Sequence, residues 1–210
     1  MRSYILWATG LLIISGNMHA ASLEAQVSTP TGTPVEYAAI VLKPVSAQPL
    51  TPPAPATIKQ QGREFIPYLT IVQTGAAIDF PNLDPVKHHV YSFSRAKPFE
   101  LKLYAGKPAK PLIFDKPGEV ALGCNIHDWM EAYVLVVDTP YFAQTVANGR
   151  AIIDNLPPGK YRLRVWHPLQ KQEIPQRDIE IGSANSKIKL LIDVAPHLTK
   201  PRPALETDAY

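Results

Sequence analysis

The chain reads as an all-β protein on three counts. It carries 22 prolines against 11 glycines in 210 residues, a balance that favours many short strands and turns over long helices. From Phe65 to Asp138, short runs rich in Val, Ile, Tyr and Phe alternate with turn signals: Gly75, "PNLDP", Gly106 and Pro117-Gly118. No convincing helical period runs through that region. With 46% hydrophobic residues, there is enough apolar material for one ordinary domain or two small ones.

The first twenty residues, "MRSYILWATGLLIISGNMHA", place Arg2 before an apolar run that is short for a bilayer span and end on small residues. This is the anatomy of a signal peptide over residues 1–20, cleaved after Ala20 or Ala21. No later run approaches membrane length, so the mature chain is expected not to span a membrane and to be periplasmic. The formal charge is +3, and Arg2 leaves with the leader. So small a charge, with no basic run interleaved with aromatics, argues against nucleic acid.

Residues 22–45 read as two strands around "TPTGTP". Ser46–Thr57 holds four prolines, and 46–59 reads as an extended linker. Then come "FIPYLTIVQ", "AAIDF", "HHVYSFS", "FELKLY", "PLIFD", "EVALG" and "EAYVLVVD", the strands of a domain over 60–138. From about Thr139, "NGRAIIDNLPPGKYRLRVWHP" reads as strand, turn, strand. "RDIEI" and "KIKLLIDV" add further strands. Residues 195–210 are polar and Pro-rich, and are expected to be disordered.

The chemistry gathers in "LGCNIHDWM". Cys124 is the one cysteine of the chain, and Met130 the one methionine beyond residue 20. A lone cysteine in an exported protein makes no internal disulfide. Thiolate and thioether are soft donors that favour copper over calcium or magnesium, and a thiolate, two imidazoles and a weak axial thioether suit one copper ion. Cys124, His127 and Met130 supply three of the four. The second imidazole is His88 or His89, at the start of a strand in the same region. Zinc is the rival metal, though structural zinc sites have little use for methionine. A buried core thiol is the alternative without metal. Haem attachment needs a second cysteine.

"FPNLDPVKHHVYSF" together with "CNIHDWM" resembles the cupredoxins, the small blue copper proteins such as plastocyanin and amicyanin. The Cys-x2-His-x2-Met spacing is similar to amicyanin's short ligand loop. The resemblance implies a Greek-key β-sandwich with copper held by His88, Cys124, His127 and Met130. It gives the ligand role to His88 rather than His89, and implies that Asn82 ties the two ligand loops together. Lys87 stands where the family often has proline. His89 and Asp128 are neighbours able to act as alternative ligands, and Trp129 is a candidate docking patch beside His127. Stretches such as "DTPYFA" also resemble exported proteins grouped as plastocyanin-like or methylamine-utilisation proteins.

The outer segments, with "TGTPVEYAAIVL" and "NLPPGKYRLRV", resemble the prealbumin-like, carboxypeptidase-regulatory-like sandwich. The expected architecture is therefore a cupredoxin domain (60–138) inserted in, or adjacent to, a second small β-sandwich built from 22–45 plus 139–194. The implied function is a one-electron carrier, not an enzyme. Its expected partner is an exported redox protein such as a c-type cytochrome or a dehydrogenase, bound weakly and transiently. Copper handling without redox turnover and a non-catalytic envelope interaction module are the alternatives. No hydrolase motif of the Gly-x-Ser-x-Gly or His-Glu-x-x-His kind is present.

Overall fold

The computed structural model describes residues 21–48, 51–108 and 110–196. The signal peptide reading, and all of the tail reading beyond Pro196, fall outside them. The described residues form strands, turns and loops, with no helix among them.

The chain opens with β1 (Ala21–Ser28) and β2 (Ala39–Pro44). Ten strands follow: β3 (Ala56–Thr57), β4 (Lys59–Gln60), β5 (Phe65–Ile66), β6 (Leu69–Gln73), β7 (Ala76–Asp79), β8 (His88–Ser92), β9 (Phe99–Tyr104), β10 (Leu112–Phe114), β11 (Gly118–Cys124) and β12 (Glu131–Val137). The last five are β13 (Phe142–Gln144), β14 (Arg150–Leu156), β15 (Gly159–Trp166), β16 (Arg177–Ile181) and β17 (Ser186–Leu191).

The first and last groups pair with one another. β1 lies between β14 and β17, and β2 lies between β13 and β15, with β16 at the edge. In β1 every second residue, Ala21, Leu23, Ala25 and Val27, is buried. These meet Ile40, Leu42, Tyr161 and Leu163 in a core between the two sheets, the period-2 burial of a sandwich strand. Gly149, at the turn into β14, has φ +75°, and a Cβ there would run into the Val27 carbonyl oxygen. Gly149→Ala is therefore expected to destabilise the fold by about 1–3 kcal/mol, the cost of an ordinary residue held at positive φ, read as a lower midpoint in thermal or urea unfolding.

The middle ten strands build the inner sandwich. A five-stranded sheet, β6-β12-β11-β8-β9, faces the three-stranded sheet β10-β7-β3. Ile78, Phe80, Phe114, Val120, Leu122 and Val134 are buried in its core. The ordered part begins earlier than the sequence suggests. Within the segment read as linker, Ala56–Thr57 pairs with β7, and Ile58 is fully buried in this core. Proline is tolerated at sheet edges, and the apolar Ile58 anchors the chain once the proline run ends.

A third apolar cluster joins the sandwiches. Ala39, Val41 and Trp166 pack on Leu69, Leu135 and Val137, and Tyr133 meets Trp166 edge-on at 6.5 Å. Trp166 is buried and seals this junction. The junction covers β6 and β12 on the outer face of the five-stranded sheet, while the opposite face carries the residues described next.

Candidate metal centre

Strand period 2 sorts the paired histidines. In β8, His88, Val90 and Ser92 are buried, while His89 and Tyr91 are only partly so. His88 thus points into the inner core, and His89 points out, where its Nε2 lies 3.0 Å from the Glu100 carboxylate. β11 ends at Cys124, which pairs with Val90 of β8 and is buried. A turn then brings His127 back, closed by the Met130 amide donating to the His127 carbonyl at 2.9 Å.

Three donor atoms converge. Cys124 Sγ is 3.9 Å from His88 Nδ1 and 3.9 Å from His127 Nδ1, and the two nitrogens are 3.1 Å apart. A point about 2.1 Å from all three atoms is the centre of a triangle with those sides, close to the ~2.0–2.3 Å at which imidazole and thiolate hold a first-row metal. All three side chains are buried. Met130 is buried in the same core cluster at the end of the loop. A soft thiolate, two Nδ1 donors and a nearby thioether fit one copper ion.

The electrostatics prepare the thiolate. Burial pushes the Cys124 thiol up, but His88 and the backbone N–H groups of His89, Ile126 and His127 outweigh it and leave it below the ordinary thiol value. Burial pushes His88 down, but contact with Cys124 and then Asp84 leaves it raised.

Asp84 is the residue that sequence reasoning missed. Its Oδ2 lies 2.9 Å from His88 Nε2, on the side of the ring away from Cys124. The carboxylate also accepts the amides of Gly62 at 2.6 Å and Arg63 at 2.8 Å. Burial raises its carboxyl, and those amides with His88 more than compensate, so it sits below the usual range. Carboxylate on one ring nitrogen and metal on the other is how a ligating imidazole is oriented and its tautomer fixed. The signal was present in "NLDP", but there Asp reads as a turn residue.

Asn82 is buried and organises its own loop. Its Nδ2 donates to the carbonyls of Val86 at 2.8 Å and Tyr104 at 2.9 Å, and its Oδ1 accepts the Asp84 amide at 3.0 Å. The tie between the two ligand loops expected of Asn82 is made elsewhere, by the Asn125 amide on the His89 carbonyl at 3.3 Å and by β8–β11 pairing. Asp128 is exposed, and neither it nor His89 belongs to the converging trio. Trp129 packs against His127 with ring centroids 5.0 Å apart and against the inner core. Of the remaining described histidines, His167 is spent on the outer sandwich, its Nε2 lying 3.0 Å from the Glu36 carbonyl oxygen.

The solved structures that this chain resembles are cupredoxins. A novel purple cupredoxin from Nitrosopumilus maritimus is 19% identical with a TM-score of 0.35, over 39% of this chain and 99% of its own. A mutant amicyanin in its reduced Cu(I) form is 18% identical with a TM-score of 0.35, over 47% of this chain and 98% of its own. A Cu-containing nitrite reductase from Thermus scotoductus is 25% identical with a TM-score of 0.38 over 45% of this chain. The present chain spans only 25% of that reductase's length. No family profile matches the sequence, and no curated protein is similar to it. At these scores the cupredoxin likeness concerns part of the chain, and the donor geometry stands as the basis for function.

His89→Ala is expected to leave the metal site intact, because the ring is turned to Glu100. Titrating Cu(I) against a competing chelator checks this, with unchanged affinity as the expected result and His88→Ala as the affected control.

Proposed function

We propose that the chain is an exported type 1 copper protein that carries single electrons between redox partners. The supporting observation is the triangle of His88 Nδ1, His127 Nδ1 and Cys124 Sγ, whose spacing suits a metal at one central point. Bound copper would supply a Cu(I)/Cu(II) couple with little ligand rearrangement. His88, Cys124 and His127 would hold it, Met130 would approach as the weak fourth donor, and Asp84 would fix the His88 ring. The three donor side chains are buried, which suits a couple that needs little ligand rearrangement. In this reading the protein is a carrier rather than an enzyme, and none of its site residues is given the role of acid, base or nucleophile. A signal peptide over residues 1–20 would export the chain to the periplasm, where a c-type cytochrome or dehydrogenase would be its partner. The outer strands act as a prealbumin-like scaffold. No helix among the described residues is long and apolar enough to cross a membrane.

Voltammetry of the copper-loaded mature chain tests this reading. A fast, reversible one-electron couple is expected. Absence of a couple, with Cu(I) passing readily to a chelator, would instead make the protein a copper-handling one.

A further inference from the structure

The outer sandwich is open along one side. β16 ends one of its sheets and β17 ends the other. Residues of both strands line a cleft of about 400 Å³. Its walls include the buried Leu163 and Val165 of β15 and Leu190 of β17, with Ile174 from the loop before β16. Leu191 lines it too and is 62% exposed, so apolar surface runs from the core out to solvent.

Two charged residues line this cleft, Arg177 and Lys189, and both are cations. Arg177 pairs with Leu163 across β15–β16. Residues directly opposite in an antiparallel pair share a face, so Arg177 stands on the core face beside Leu163. Arginine is rarely set toward a core without a partner. Lys189 lies on the solvent face of β17, between Ile188 and Leu190 of the core face. Neither cation has a carboxylate partner among the described residues. By contrast, Arg150, Arg162, Arg164, Lys171 and Lys187 of the same sandwich each have one at 2.6–3.4 Å.

We propose that this cleft binds a free medium-chain monocarboxylate, its carboxylate on Arg177 and its alkyl chain over Leu163, Val165 and Leu190. Three observations choose the occupant. The lining charges are positive and unpaired, so the head group is an anion, and a guanidinium presents a fork of donors that matches a carboxylate. The rest of the lining is aliphatic, so the tail is a hydrocarbon. The volume lies near the lower end of the range for small-molecule sites, which keeps the chain to medium length. An added peptide strand fits less well. β17 carries Lys187 and Lys189, and lysines along an edge strand blunt it against strand addition. Every lining residue belongs to the outer sandwich, so the site stands or falls apart from the copper reading.

The test uses the full mature chain with decanoate as probe, below the concentration at which decanoate forms micelles. Isothermal titration is expected to show saturable binding at one site. Amide resonances of Leu163, Val165, Ile174 and Leu190 should shift first. Arg177→Gln is expected to weaken binding about 10–100-fold, the scale of a hydrogen bond to a charged group, and Arg177→Lys should recover part of the loss. Decanol, with the same chain and no charge, should bind the parent protein more weakly by a similar factor. Equal binding of decanol and decanoate overturns the proposal without any variant. So does an absence of saturable binding, a set of shifts centred elsewhere, or an affinity unaltered in Arg177→Gln.

Discussion

Replacing Cys124 with Ser is expected to abolish the intense thiolate-to-copper absorption of the Cu(II) protein. It should also weaken Cu(I) binding by more than the roughly 10–100-fold that loss of an outer partner costs. A hydroxyl is a hard donor and is not ionised near neutrality, so two imidazoles would be left to hold a soft ion. The thiol is the member of the trio that the site prepares most thoroughly, with His88 and three backbone N–H groups favouring its ionised form. The fold should survive, because serine is slightly smaller than cysteine and fits the same buried position at the end of β11. Far-UV circular dichroism of the metal-free variant checks that point, and chelator competition checks the affinity. An unchanged visible band would remove Cys124 from the site.

Asp84→Asn should have the next largest effect. The carboxylate accepts from His88 and from two backbone amides, so it fixes both the ring and the loop that precedes β8. An amide can offer its oxygen to only part of this set, and brings N–H groups that point at other donors. Metal affinity is expected to fall about 10–100-fold, the usual cost of losing an outer partner of a ligating histidine. Asp84→Glu should recover part of the loss if its longer carboxylate reaches Nε2. Isothermal titration or chelator competition with Cu(I) reads both variants. If Asp84→Asn binds as tightly as the parent, the carboxylate only caps its loop.

Much of this was legible in the residues, for identifiable reasons. Each strand from Phe65 to Val137 is bracketed by Gly, Pro or Asn-Asp turns, and turn chemistry is a local property. The ligand loop was legible because Cys124, His127 and Met130 lie in one seven-residue stretch, with soft donors that the chain otherwise spares. Partners set by tertiary approach were not legible. Asp84 sits four residues from His88, a spacing without meaning until the loop folds the carboxylate under the ring. Gly123 looked like an ordinary strand residue until Tyr91 crossed it from the neighbouring strand. Trp166 and Tyr133 are far apart in sequence and meet only where two sandwiches join. Ile58 lay hidden behind a proline run whose composition spoke for linker.

X-ray absorption at the copper edge of the loaded mature chain tests the central claim most directly. A first shell of one short copper–sulfur bond and two copper–nitrogen bonds with imidazole scattering is the expected result. A shell of nitrogen and oxygen alone, with no sulfur, would contradict a site built on Cys124, His88 and His127.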